Sequence, residues 1–132
     1  MRLSRLVVVL VLACLVMICG GCRRVDRWHL SGRVTYGGQP VQEGHISFDT
    51  LAPGPGKGGA FAKILNGAFD TQTQGRQHCG GQHRVTISAY KGLKDSSNPD
   101  SPVVLLFPPY QVEADLPMKA ATMDFDVPAD WK

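Results

Sequence analysis

Beyond Cys22 no stretch of this sequence sustains apolar residues at the 3.6-residue spacing of an amphipathic helix, which argues against a helical bundle there. No apolar run reaches bilayer length. Residues 6–18 are about 13 residues without a charge, and a spanning helix needs about 20. Adding Cys19, Gly20 and Gly21 gives only a marginal span, which Arg23-Arg24 stops. The basic surplus is small, 14 Lys and Arg against 11 Asp and Glu, and Arg2 and Arg5 lie ahead of the apolar run. The rest carries no basic stripe, so nucleic acid is not an expected partner. Phosphate-cradling motifs are missing. Residues 53–59 are rich in glycine and proline but lack the Lys-Ser/Thr ending and the strand-to-helix setting of a P-loop. They read as a flexible connection.

The N-terminus is organised differently from the remainder. Arg2 and Arg5 give a positive start, residues 6–18 an apolar centre, and Gly20-Gly21 a small-residue end. That is the layout of a secretory signal rather than of a folded element. The run Leu15-Val16-Met17-Ile18-Cys19-Gly20-Gly21-Cys22 resembles the lipobox of bacterial lipoproteins, with Cys19 where Leu, Val or Ile is usual. The resemblance implies cleavage before Cys22 and acylation of its thiol. One acyl chain holds a protein only reversibly; lipoproteins of this type carry several, which implies a stable membrane anchor. Arg23 rather than Asp after the cysteine favours the outer membrane. This reading is preferred to an uncleaved N-terminal anchor and to ordinary signal cleavage. It gives a signal peptide at 1–21 and a lipidated tether at 22–27, with Arg23, Arg24 and Arg27 near lipid headgroups.

About 110 residues remain, enough for one small domain. With Cys14 and Cys19 removed and Cys22 acylated, Cys79 is alone and no intramolecular disulfide forms. Residues 28–36 alternate Trp28, Leu30, Gly32, Val34 and Tyr36 with polar neighbours, the period-two pattern of a half-buried strand. Further strands are predicted at 45–49, with Ile46 and Phe48 inward, at 60–65 and at 68–73. The clearest covers 82–90, with His83, Val85, Ile87 and Ala89 on one face. Two more fall at 112–116 and 120–127, where Met123, Phe125 and Val127 point inward. Gly37-Gly38-Gln39-Pro40 and Asn66-Gly67 read as turns. Residues 91–102 read as a solvated loop, and 103–107 as a short apolar run. About seven strands between turns predict an all-β sandwich over 28–127 with a C-terminal tail at 128–132.

The opening Leu30-Ser31-Gly32-Arg33-Val34-Thr35-Tyr36-Gly37-Gly38-Gln39-Pro40-Val41 and the strand reaching Phe48 resemble carboxypeptidase regulatory-like domains. Asn66-Gly67-Ala68-Phe69 is similar to the family's next Gly-x-aromatic step. Gly81-Gln82-His83-Arg84-Val85 is similar to its Gly-x-Tyr-x-Val step, with His83 in place of tyrosine. Pro109-Tyr110 and Asp124-Phe125-Asp126 agree with the short lipoprotein version. The resemblance implies a transthyretin-like (prealbumin-like) sandwich of seven strands and no catalytic residues or cofactor. Function does not follow from such a fold.

Candidate chemistry is sparse. His78, Cys79 and His83 offer zinc-type donors, but their spacing matches no known finger and His83 has inward parity, so the histidines read as satisfied core or rim residues and Cys79 as a loop residue. His29 and His45 fall on outward faces. Asp124 and Asp126 share a strand face and read as a solvated edge rather than a glycosidase pair. Tyr90, outward at a strand end, and Trp131, beyond Pro128, are the candidate ligand contacts, since aromatic rings stack on sugars. The expected function is a membrane-anchored lipoprotein of the cell envelope whose non-enzymatic module engages an envelope protein or polysaccharide. A carbohydrate-binding module is one alternative. A small transthyretin-like hydrolase is another, although the C-terminal Val127-Pro128-Ala129-Asp130-Trp131-Lys132 lacks that group's Ser-rich signature.

Overall fold

The computed structural model describes residues 3, 25–52, 58–91, 102 and 104–132. Apart from Leu3, the expected signal peptide lies outside the described residues, as do Cys22 and the tether as far as Arg24, 53–57 and most of the loop at 91–102. The described residues form ten β-strands: β1 Leu30–Tyr36, β2 Gln39–Pro40, β3 Glu43–Thr50, β4 Ala60–Leu65, β5 Ala68–Asp70, β6 Gly75–Arg76, β7 Gly81–Ala89, β8 Tyr110–Leu116, β9 Ala121–Thr122 and β10 Phe125–Val127. Seven lie on one hydrogen-bonded path, β10-β1-β5-β4-β3-β7-β8, and β2, β6 and β9 pair off it. The fold is all-β and sandwich-like.

The sheet curls because the alternation in its strands puts one apolar face on the inside. Phe48 of β3 and Phe125 of β10 are four strand positions apart along the path. A flat sheet at about 4.8 Å per strand would hold them roughly 19 Å apart. Their ring centroids are 6.2 Å apart, and Phe69 of β5 stands 6.0 and 6.1 Å from the two. Leu30, Val34, Ile46, Ile64, Val85, Ile87 and Val127 fill the space around this trio and are fully buried. Each such side chain contributes about 1.5–3 kcal/mol by leaving water. Ile46, Phe48, Val85, Ile87 and Val127 sit on the faces their alternation predicts.

Several boundaries differ from the sequence expectation, each for a local reason. The first strand begins at Leu30; Trp28 makes only an isolated bridge to His78. The strand expected at 68–73 stops at Asp70, whose carboxylate accepts the backbone N–H of Gln72 at 2.8 Å and of Thr73 at 3.3 Å, closing a turn. The strand expected at 120–127 is split into β9 and β10. At the split, Met123 N donates to Ser31 O and the Asp124 carboxylate accepts Arg33 N at 2.9 Å, so a side chain replaces one rung of the ladder. Both predicted turns form. Asn66 and Gly67 have φ of 50° and 78°, the left-handed pair that a two-residue hairpin demands.

Register gives the domain two ends. Gly81 opposes Leu116 at one end of β7, and Ile87 opposes Tyr110 toward the other. Along β3, Thr50 pairs with His83 and Gly44 with Ala89. The nine residues of β7 separate these ends by roughly 26 Å at about 3.3 Å per residue. Trp28 and the turns at 71–80 and 117–120 lie at the first end. The turns at Gly37-Gly38 and Asn66-Gly67, the segment 104–109 and the C-terminal tail lie at the second.

Candidate functional site

The main candidate is a groove at the second end, beyond β7. Tyr90 follows the last residue of that strand and is held in extended register: its N–H donates to Glu43 O at 2.9 Å, and it bridges Leu105. Lys91 N donates to Val104 O and Leu106 N to Ala89 O, each at 2.8 Å, so the apolar run extends the sheet edge. Phe107 turns inward and is buried, whereas Val104, Leu105 and Leu106 stay exposed. A groove of ≈ 520 Å³ opens between this segment and the turns on the far side, lined by Pro40, Glu43, Leu65, Tyr90, Lys91 and Leu106 among others. Glu43 Oε2 is shielded from solvent and has no hydrogen-bond partner among the described residues. The groove thus combines an aromatic ring, aliphatic walls, a carboxylate residue in its lining and an ammonium donor. Such a mixture orients a polar ligand that also has an apolar face.

The structure does not bring the two aromatic candidates into one site. Trp131 donates its indole N–H to Pro108 O at 2.8 Å and packs edge-on against Tyr110 at 5.1 Å. It is half-buried and pins the C-terminal tail to the core. It does not line the Tyr90 groove.

At the opposite end, His78 and His83 are fully buried, with ring centroids 6.3 Å apart and nearly perpendicular. His78 Nδ1 accepts Gly80 N–H at 3.0 Å, so its neutral ring carries the proton on Nε2. His83 Nδ1 donates to Gly81 O at 2.8 Å, which leaves its Nε2 as a bare acceptor. Neither Nε2 has a hydrogen-bond partner among the described residues. The pair therefore presents one donor and one lone pair, not the two lone pairs that a metal ion takes from histidines. Burial lowers the pKa of His78 below the usual imidazole value, and the nearby His83 and His29 lower it further. Cys79 is buried beside them as a free thiol and points its Sγ at Gly80 O. Among the described residues, no three His, Cys, Asp or Glu side chains gather as a metal site would require.

Four polar residues read as outward-facing make contacts within the fold. His29 Nε2 bonds Asp70 Oδ1. Asp124 and Asp126 accept hydrogen bonds from β1 and its turn: Arg33 N binds the first, Thr35 Oγ1 and Gly38 N the second. His45 stacks on Phe61 at 5.7 Å. The Glu43 contribution to the groove was missed in the sequence. Only the pairing of Glu43 with the residue after β7 shows it, and no local pattern encodes that.

Compared with protein-family models, with curated proteins and with solved structures, the chain has no match in any of the three.

Proposed function

We propose that this protein is a lipid-anchored module of the bacterial cell envelope, a transthyretin-like sandwich that binds a ligand and does not transform it. The lipobox-like run ending at Cys22 supports the anchor, and the Gly-x-Val strand with its Gly-Gly-Gln-Pro turn supports the family. The observation that carries the binding role is the groove at Tyr90, whose lining joins an aromatic ring and aliphatic walls to Lys91 and Glu43. The groove opens at the end far from Trp28, so a tether running from Cys22 presents it away from the membrane.

The test has two parts. Protein extracted from membranes has a mass corresponding to a chain that begins at Cys22 with acyl groups added, and Cys22→Ala removes that mass. An unmodified full-length mass would sink the anchor. Crosslinking on intact cells then recovers an envelope partner with the native groove and not with Tyr90→Ala.

The composition of the groove favours one ligand class, an envelope polysaccharide. A tyrosine ring stacks on a sugar face while Lys91 bonds its hydroxyls. Retention on envelope polysaccharide that Tyr90→Ala abolishes supports this class; retention unchanged in the variant removes it.

A further inference from the structure

We propose that the first end of the domain, built from Trp28, Gly80 and Met118, lies against the lipid surface. This rests on the lipid-anchor reading of Cys22. Covalent geometry sets the distance. Only three peptide units separate Cys22 from Val25, so the two Cα atoms lie within about 11 Å. Two residues further on, from Arg27, the chain is fastened to the domain. Trp28 N donates to His78 O at 2.8 Å, and His78 N donates back to Trp28 O at 3.2 Å. Arg27 adds a guanidinium bond to Gln77 O at 2.9 Å. The clamp joins the domain at Arg27 and Trp28, close in sequence to Cys22. The first end of the domain is held within a few residues of the acyl chains.

The side chains at that end suit an interface. Met118 is 72 % exposed, although it is a large apolar residue in a tight turn. A Cβ on Gly80 would stand 2.8 Å from Met118 Cγ and 3.3 Å from Trp28 Cζ3, so the two side chains close over this glycine and form one apolar apex. Lys119 is exposed beside it. Indole rings sit at the headgroup level of bilayers, where one edge meets acyl chain and the other water. A lysine stem can follow an apolar surface while its ammonium reaches phosphate. The occupant is therefore the outer few ångströms of a phospholipid leaflet, with Met118 and Trp28 at the acyl boundary.

The two tryptophans stand at opposite ends of the domain and supply the experiment. Lipidated protein is reconstituted in phosphatidylcholine–phosphatidylglycerol vesicles with brominated acyl chains, as Trp131→Phe to read Trp28 and as Trp28→Phe to read Trp131. Trp28 emission is expected to fall roughly twofold relative to vesicles without bromine, as for an interfacial ring. Trp131 emission is expected to stay unchanged. Met118→Glu should restore Trp28 emission without altering the lipid mass on Cys22. Unquenched Trp28 in protein of confirmed lipid mass overturns this orientation and leaves the anchor standing. Equal quenching of both rings overturns it as well. A chain without lipid mass overturns the anchor and the orientation together.

Discussion

His29 Nε2 stands 2.9 Å from Asp70 Oδ1, tying the entry to β1 to the end of β5. The same carboxylate oxygen accepts the N–H groups of Gln72 and Thr73. Partial burial raises the Asp70 pKa, but those backbone bonds and the His29 ring outweigh it and hold the carboxyl below its usual 3.8. A carboxyl depressed by folding stabilises the native state above the unfolded-state pKa and loses that effect as pH falls through the native value. Asp70→Asn should therefore flatten the acid limb of stability below about pH 4. Asp70→Ala should cost about 1 kcal/mol at neutral pH through the lost turn cap. Urea melts across pH check both.

His78 carries the opposite charge type and the same sign of pH dependence. Its folded pKa is lowered, so the unfolded chain takes up the proton first. Stability is complete above the usual value of 6.5 and declines as pH falls below it. The slope approaches about 1.4 kcal/mol per pH unit inside that window. Denaturation midpoints at neutral and mildly acidic pH should show this decline in the native chain. His78→Gln should remove it, and a persistent slope in that variant would assign the decline elsewhere.

Gly32 is required by close approach rather than by backbone conformation. A Cβ there would stand 1.9 Å from Met123 O and 3.1 Å from Asp124 Oδ1. The oxygen belongs to the backbone at the split between β9 and β10, and it moves only if that edge moves. Gly32→Ala should cost about 3 kcal/mol. Gly38→Ala meets nothing within 4 Å and is strained only by its φ of +80°, so it should cost about 1 kcal/mol. Equal losses in the two variants would refute the close-approach account.

The aromatic candidates should separate by phenotype. Tyr90→Ala is expected to weaken ligand capture with a small change in melting temperature. Trp131→Ala is expected to lower stability by about 2 kcal/mol, through lost contact with Tyr110 and the lost bond to Pro108 O, while capture persists. Calorimetry beside a retention assay distinguishes the two.

The inward faces of β3 and β7 were legible because period-two alternation is a local signal: Ile46, Phe48, Val85 and Ile87 lie where it places them. Asn66-Gly67 was legible because few residue pairs adopt positive φ twice in succession. Strand ends were read less well. Side chains of Asp70 and Asp124 take over backbone bonds there, and an aspartate in sequence does not show which N–H it will meet. At the candidate site, Tyr90 could be picked out by its outward parity, whereas Glu43 and Leu106 join it only through strand pairing.

The sequence by itself determined the all-β class, the alternation that defines the buried face and the two hairpin turns. Each depends on residues within a few positions of one another. Tertiary structure alone decided the curl that brings Phe48 to Phe125, the burial of His78 against His83 and the groove that joins Glu43 to Tyr90. These contacts join residues on separate strands, and they arise only when the sheet closes its apolar face against itself.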